Sequence, residues 1–198
     1  GEYDARYPLL DVEKPTTQGP FDMPDYYFEH KLQQVDAMKN VPDRFLEVQD
    51  KFNDLSGSSY DGLFESYKLD DADQAVVILG STAGTAKVVV DELREKGKKV
   101  GLLKPWLFRP FPGEKVKEAL VDKEAVAVLD RSLSFGSSGP LYLEVSSALS
   151  EEDEKPRLYN YTYGLGGRDI KENQIAEVFE DLENPDLEKK MRYIGARQ

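Results

Sequence analysis

The strongest constraint on the fold is an alternation of short apolar runs with helical segments after Tyr67. The apolar runs span residues 74–80, 99–105, 125–130 and 157–164. They are rich in β-branched or aromatic residues and end at turn residues, which is typical of strands. Amphipathic stretches at 83–96, 113–121, 139–150 and 170–183 predict the helices. The first three runs are almost continuously apolar, so the sequence predicts an α/β fold of three layers with a mostly parallel sheet.

The residues before this alternation have a different composition. Residues 1–24 are rich in proline and aromatic residues without a clear period, which indicates an extended arm. Helical periodicity starts at Pro24 and again after Pro42, and SGSSYDG at 56–62 is typical of a linker. We therefore expect an arm, helices and a linker in residues 1–68, and an α/β domain in 69–198. The aromatic residues of the arm predict that it packs on that domain or on a neighbouring subunit.

Composition and charge argue against several classes of function. A net charge of −12 makes a nucleic-acid partner unfavourable, because the average surface repels phosphates. No apolar run approaches the roughly 20 residues of a membrane span, and the start lacks an export signal, so we expect a cytoplasmic protein without membrane contact. Without cysteine, the chain supplies no thiol nucleophile and no ordinary iron–sulfur or zinc–thiolate ligands.

The sequence also predicts no catalytic residues and no metal site in this chain. The single histidine, His30, has Gln33 and Gln34 at the helical positions where a second metal ligand would stand. Neighbouring carboxylates such as Glu151 and Glu152 lie in a charged loop and do not form an acid–base pair with different surroundings.

The glycine turn in VVILGSTAGTAK, residues 76–87, resembles a phosphate-binding loop only superficially. Only three residues separate Gly80 from Gly84, and Lys87 is not followed by Ser or Thr, so the Walker A pattern fails. The dinucleotide fingerprint fails as well, because Thr82 stands where its second glycine is needed. A weaker anion site on free backbone N–H groups remains, with the candidates Ser81, Thr82, Gly84 and Thr85. The alternative is a tight turn in which Ser81 or Thr82 caps the helix.

Three segments that follow predicted strands carry large aromatic or cationic side chains. KPWLFRPFPGEK, residues 104–115, offers the apolar area of Trp106 and Phe111, and Arg109 suits a carboxylate. This loop is either buried with Arg109 paired internally, or an intersubunit contact, or a site for coenzyme A or phosphate. The segments 129–140 and 163–169 add Arg131 and Arg168.

Loops after the carboxyl ends of parallel strands meet at one edge of a sheet. We therefore predict that these side chains gather there and dock the rest of a larger assembly. The interface candidates are Arg109, Arg131, Arg168, Trp106 and Phe111. The alternative is an internal network of these arginines with aspartates such as Asp130 that fixes the loops.

Four motifs in order carry a resemblance to a known family: QAVVILGSTAGTAKVVVDEL, KPWLFRPFPGEKVKEAL, VAVLDRSLSFGSSGPLYLEV and YNYTYGLGGRDI. They resemble the transketolase C-terminal-like domain of the pyruvate:ferredoxin oxidoreductase α subunit. The stretch PTTQGPFDMPDYYFEHKLQQVDAM is similar to the passage that joins this domain to the pyrimidine-binding domain before it. The resemblance covers nearly the whole chain.

The resemblance implies a role in oxidative decarboxylation of a 2-oxo acid. That family uses thiamine diphosphate and Mg²⁺, transfers the acyl group to coenzyme A, and passes electrons through [4Fe–4S] clusters to ferredoxin. This chain lacks the GDG motif with its following Asn and the pyrimidine-binding domain expected before residue 1. The resemblance therefore implies a C-terminal part of an α subunit that serves assembly, holds no cofactor itself, and has the other domains or subunits as partners. Pyruvate is the expected substrate. The alternatives are 2-oxoglutarate or a branched-chain 2-oxo acid, or a free-standing anion-binding module.

Overall fold

The computed structural model describes residues 12–15, 19 and 21–197, and its contacts divide the chain into two compact units, Gly1–Lys39 and Asn40–Gln198. In the first unit, helix α1 (Pro24–Lys39) has an acidic first turn and a basic last turn, which suits the helix dipole. None of its residues is buried. Most of the predicted arm at residues 1–24 lies outside the described residues, so its packing stays a prediction.

The second unit contains the remaining helices and strands. Its helices are α2 (Val41–Ser56), α3 (Thr82–Glu95), α4 (Gly113–Leu120), α5 (Pro140–Ala148) and α6 (Glu172–Glu183). Its strands are β1 (Phe64–Tyr67), β2 (Gln74–Ile78), β3 (Val100–Pro105), β4 (Ala125–Asp130), β5 (Arg157–Thr162) and β6 (Arg192–Tyr193). The four predicted strands are confirmed, and so is each predicted helix apart from small differences at its ends.

All six strands form one sheet in the order β1-β3-β2-β4-β5-β6. Only β1 runs antiparallel to its neighbour, β3, and every other pair is parallel. The predicted α/β class with a mostly parallel sheet is therefore confirmed. Strand β1 was not predicted, and it precedes the proposed domain boundary after residue 68 although it pairs with β3. That boundary remains a proposal.

Two apolar cores cover the two faces of the sheet, because successive side chains of a strand point to opposite sides. Val76 and Ile78 of β2 pack into the core that includes residues of α3 and α6. Ala75 and Val77 pack into the other core, with residues of α4 and α5. Helices on both faces give the three predicted layers.

The carboxyl ends of the parallel strands bring four loops to one edge of the sheet: those after β2, β3, β4 and β5. This is the edge to which the sequence analysis assigned its candidate residues. None of the helices within the described residues has the length and apolar character needed to cross a membrane.

Candidate functional site

The turn after β2 is tight, and its glycine is required. Gly80 has φ +74°, a backbone conformation that L side chains rarely adopt. Ser81 stands at the N-cap of α3, but its side chain makes no capping hydrogen bond, so the predicted Ser81 cap is wrong. Thr82 is buried, and Gly84 is an exposed helical residue with open space around it. Anion binding by Ser81, Thr82, Gly84 and Thr85 stays a prediction.

The loop after β3 is held to the chain before β1 by backbone bonds. The backbone N–H groups of Trp106 and Leu107 both donate to the carbonyl oxygen of Leu63, at 2.9 and 3.0 Å. The ring of Trp106 meets that of Tyr60 edge to face, with centroids 5.0 Å apart, and the Lys104 ammonium lies 4.3 Å from the Trp106 ring. The indole N–H of Trp106 is buried and has no acceptor among the described residues.

Phe111 and Arg109 belong to the outer part of the same loop. Phe111 packs edge to face on Phe108, with centroids 6.3 Å apart. The Arg109 guanidinium stacks on the Phe108 ring at 4.2 Å and donates to Glu144 of α5 at 2.7 Å. The Arg109 side chain is nevertheless 53% exposed. An internal pair for Arg109 is therefore present, and the exposed part of its guanidinium is free to contact a partner as well.

The loop after β4 is fixed by a buried carboxylate. Asp130, the last residue of β4, accepts the backbone N–H groups of Leu141 and Tyr142 at 3.1 and 3.0 Å. These are free donors in the first turn of α5, so Asp130 caps a helix that begins ten residues later. A Cβ atom on Gly139 would lie 2.3 Å from the Asp130 Oδ2 atom, so only glycine fits there. Burial raises the pKa of Asp130, and the two N–H donors oppose that shift.

Arg131 and Arg168 meet the loop after β5 through backbone carbonyls. The Nη2 group of Arg131 lies 3.4 Å from the Gly164 oxygen, and its guanidinium lies 6.0 Å from the Tyr163 ring. Gly164 has φ +65°, and a Cβ atom there would lie 2.9 Å from the Arg131 Nε atom. Arg168 donates to the Gly195 oxygen.

Among the residues that the structure describes, backbone carbonyls hold these two arginines in place of carboxylates. In residues 21–197, neither Arg131 nor Arg168 has a carboxylate oxygen within ion-pair distance. The alternative of an internal arginine–aspartate network is wrong for them, since Asp130 caps α5 instead. Arg109 stands apart from both, paired with α5.

A cluster of polar side chains on β5, α6 and β6 was not predicted from the sequence. Tyr161 of β5 donates its hydroxyl to Asp181 of α6 at 2.8 Å, and Arg192 of β6 lies 3.8 Å from the same carboxylate. Burial raises the pKa of Tyr161 well above its ordinary value, and the Asp181 carboxylate adds to the increase. No short-range sequence motif links these residues. They meet because β5 pairs with β6 and because Tyr161 of β5 reaches Asp181 of α6.

We expect Tyr161 to make the chain sensitive to alkali. Tyrosine in the unfolded chain ionises near pH ~10, whereas folding keeps Tyr161 protonated above that pH. The free energy of unfolding therefore contains the full contribution of Tyr161 below pH ~10. Above that pH it decreases by up to about 1.4 kcal/mol per pH unit. Urea unfolding of the wild type and of Tyr161→Phe across this range should give a shallower decline for the variant. Tyr27→Phe, on exposed α1, is the control, and parallel wild-type and Tyr161→Phe curves would contradict the expectation.

Comparison with known proteins matches residues 72–175 to the family described as pyruvate:ferredoxin oxidoreductase core domain II. The match spans strands β2 to β5 with all four loops of the edge, which is more than half of the chain. The chain belongs to this family. The resemblance seen in the sequence is thereby confirmed.

Individual proteins are also similar to this chain. The pyruvate synthase subunit PorA of Thermotoga maritima is 51% identical over 199 residues, covering 100% of this chain and 50% of the relative. The ketoisovalerate oxidoreductase subunit VorA of Pyrococcus abyssi is 36% identical, covering 89% of this chain and 45% of the relative. A solved 2-oxoglutarate:ferredoxin oxidoreductase from Magnetococcus marinus is 21% identical with a TM-score of 0.46, covering 67% of this chain and 21% of that chain. The chain spans about half the length of the curated relatives it matches.

The residues of this family member do not fit the cofactors that the resemblance implies. The sequence contains no cysteine to ligate a cluster. Throughout the described part of the chain, no three His, Asp or Glu side chains are grouped so that they could hold a metal ion such as the Mg²⁺ of thiamine diphosphate. We assign none of that chemistry to the residues described.

Proposed function

We propose that this chain is an assembly domain in the α subunit of a pyruvate:ferredoxin oxidoreductase, without catalytic residues of its own. The supporting observation is the 51% identity to a pyruvate synthase subunit over the whole chain. The complete enzyme, in the cytoplasm, converts pyruvate and coenzyme A to acetyl-CoA and CO₂ and reduces ferredoxin. Thiamine diphosphate, Mg²⁺ and [4Fe–4S] clusters belong to its other domains or subunits.

The edge at the carboxyl ends of the strands is the proposed docking surface. Aromatic and arginine side chains dominate the binding energy of protein interfaces. Trp106 has a buried indole N–H without an acceptor, and Phe111 remains partly exposed. Arg109, Arg131 and Arg168 are exposed, and within residues 21–197 the last two have no carboxylate at ion-pair distance. A partner would pack on the partly exposed Phe111, and a carboxylate on it would pair with the exposed Arg109 guanidinium.

The test is reconstitution with the other parts of the enzyme. The full chain is combined with the separately expressed remaining domains and subunits, and ferredoxin reduction is measured with pyruvate and coenzyme A. We expect activity in the complete mixture and none when this chain is omitted or is alone. Calorimetry should detect no binding of thiamine diphosphate with Mg²⁺ to the isolated chain. Stoichiometric binding there, or full activity without the chain, would contradict the proposal.

A branched-chain 2-oxo acid is a second candidate substrate, because the ketoisovalerate oxidoreductase subunit is 36% identical over most of the chain. The reconstituted enzyme separates the candidates when pyruvate, 2-oxoisovalerate and 2-oxoglutarate are compared at equal concentration. A kcat/KM that is highest for pyruvate supports the first proposal. A higher value for either of the others would replace pyruvate and leave the assembly role unchanged.

A further inference from the structure

A cleft of 320 Å³ lies beyond the carboxyl end of β5, between the loop after β5 and the residues that follow β6. Two arginines, Arg168 and Arg197, line it together with Gly164 and Gly195. No aspartate or glutamate is among its lining residues. This is an unusual composition for a chain in which 38 acidic residues outnumber 26 basic ones.

A third guanidinium lies against the wall of the same cleft. Arg131 approaches Gly164 closely enough that a Cβ atom on that glycine would lie 2.9 Å from the Arg131 Nε atom. On the opposite wall, a Cβ atom on Gly195 would lie 3.7 Å from the Arg168 Cδ atom. Gly164 therefore lets the Arg131 side chain lie against the backbone where a larger residue would displace it, and the contact of Arg168 at Gly195 is an ordinary van der Waals one.

The hydrogen bonds of these arginines leave most of their donors unused. Arg131 and Arg168 each donate to one backbone carbonyl, and a guanidinium carries five N–H donors. Like charges gathered without an anion repel one another, so the arrangement favours a bound oxyanion. A phosphoryl dianion offers more charge and more acceptor oxygens than one carboxylate, and guanidinium groups bind it in a bidentate manner.

We propose that this cleft binds the phosphoryl group of a soluble ligand through Arg168, Arg131 and Arg197. The proposal rests on the cleft and does not depend on the proposed function. The ligand enters at the same edge as the docking surface, where the concave wall suits a small group better than a flat protein face.

The test uses the full chain and inorganic phosphate or pyrophosphate as probes, at constant ionic strength set with chloride. Backbone amide NMR is recorded during the titration, and the affinity is checked by calorimetry. We expect saturable shifts centred on Gly164, Arg168 and Gly195, with a single dissociation constant. Arg168→Gln should weaken binding by about tenfold, because it removes a charge-assisted donor pair. Arg44→Gln removes the same charge from an exposed side chain on α2 that is paired with Glu47, and it should leave the affinity unchanged.

Three results would overturn the proposal. The first is the absence of saturation, and the second is an equal loss of affinity in Arg168→Gln and Arg44→Gln. The third is a variant Arg168→Gln that binds phosphate like the wild type but associates poorly with the remaining enzyme, which would make the cleft a protein contact. Because the titration contains no partner, its failure is distinguishable from a failure of reconstitution.

Discussion

Replacing Gly139 by alanine is expected to destabilise the chain by about 3 kcal/mol. The added Cβ atom would lie 2.3 Å from the Oδ2 atom and 2.6 Å from the Cβ atom of Asp130. Asp130 has no room to move, because it is buried and accepts two backbone N–H groups of α5. Either the helix loses its cap or the loop after β4 is displaced, and both changes reach the candidate docking edge.

Chemical denaturation of the wild type and of Gly139→Ala measures this loss. Gly84→Ala is the matched control, since it makes the same chemical change in a helix with no atom within 4 Å of the new Cβ. An exposed helical glycine replaced by alanine should gain about 0.5–1 kcal/mol, so the two variants should move in opposite directions. Equal stabilities for the two variants would show that Asp130 does not restrict the loop as described.

Replacing Arg109 by alanine is expected to weaken association with the rest of the proposed enzyme by about 2 kcal/mol, or roughly 30-fold. The stability of the isolated chain should change by less than about 1 kcal/mol, because the Arg109 side chain is 53% exposed and water screens its ion pair with Glu144. A large loss of association with a small change in stability identifies a side chain that acts between domains and not within one. Surface plasmon resonance against the remaining subunits gives the affinity, and thermal unfolding gives the stability.

Arg44→Ala is the control for that experiment. Arg44 lies on α2 in an exposed pair with Glu47 and does not belong to the loops that follow the parallel strands. We expect Arg44→Ala to leave association unchanged, because it removes one positive charge without removing a docking contact. If Arg109→Ala lowers stability but leaves the affinity intact, the ion pair is purely internal, and the docking surface excludes this loop.

The parallel part of the sheet was predictable because each of its strands has a signal within its own residues. Val76 to Ile78, or Ala125 to Leu129, are apolar at every position, which occurs when helices cover both faces. Helices α3 and α6 were predictable from their apolar periodicity for the same local reason. The position of the candidate arginines in loops at one edge of the sheet followed from the direction of the strands.

Features that depend on distant partners were not predictable. Strand β1 has four residues, of which only Phe64 and Tyr67 are strongly apolar, and it exists because it pairs with β3. Strand β6 has two residues and is defined by β5. Asp130 caps α5 across a loop, so no capping motif of three or four residues could reveal it. Arg131 and Arg168 were placed correctly at the edge, but their backbone acceptors were not foreseen.

The two borders of the sheet limit how this chain can associate with copies of itself. Recruiting a strand from another molecule takes an open, regular border, and amyloid-forming segments are about six residues long. Strand β1 has four residues, and the Glu65 carboxylate on it pairs with Lys87. Strand β6 ends after two residues. Strand β6 covers only Tyr161 and Thr162 of β5. Within the described residues, neither β1 nor β6 offers the regular border of about six residues that strand recruitment takes, which disfavours fibre growth through these two strands.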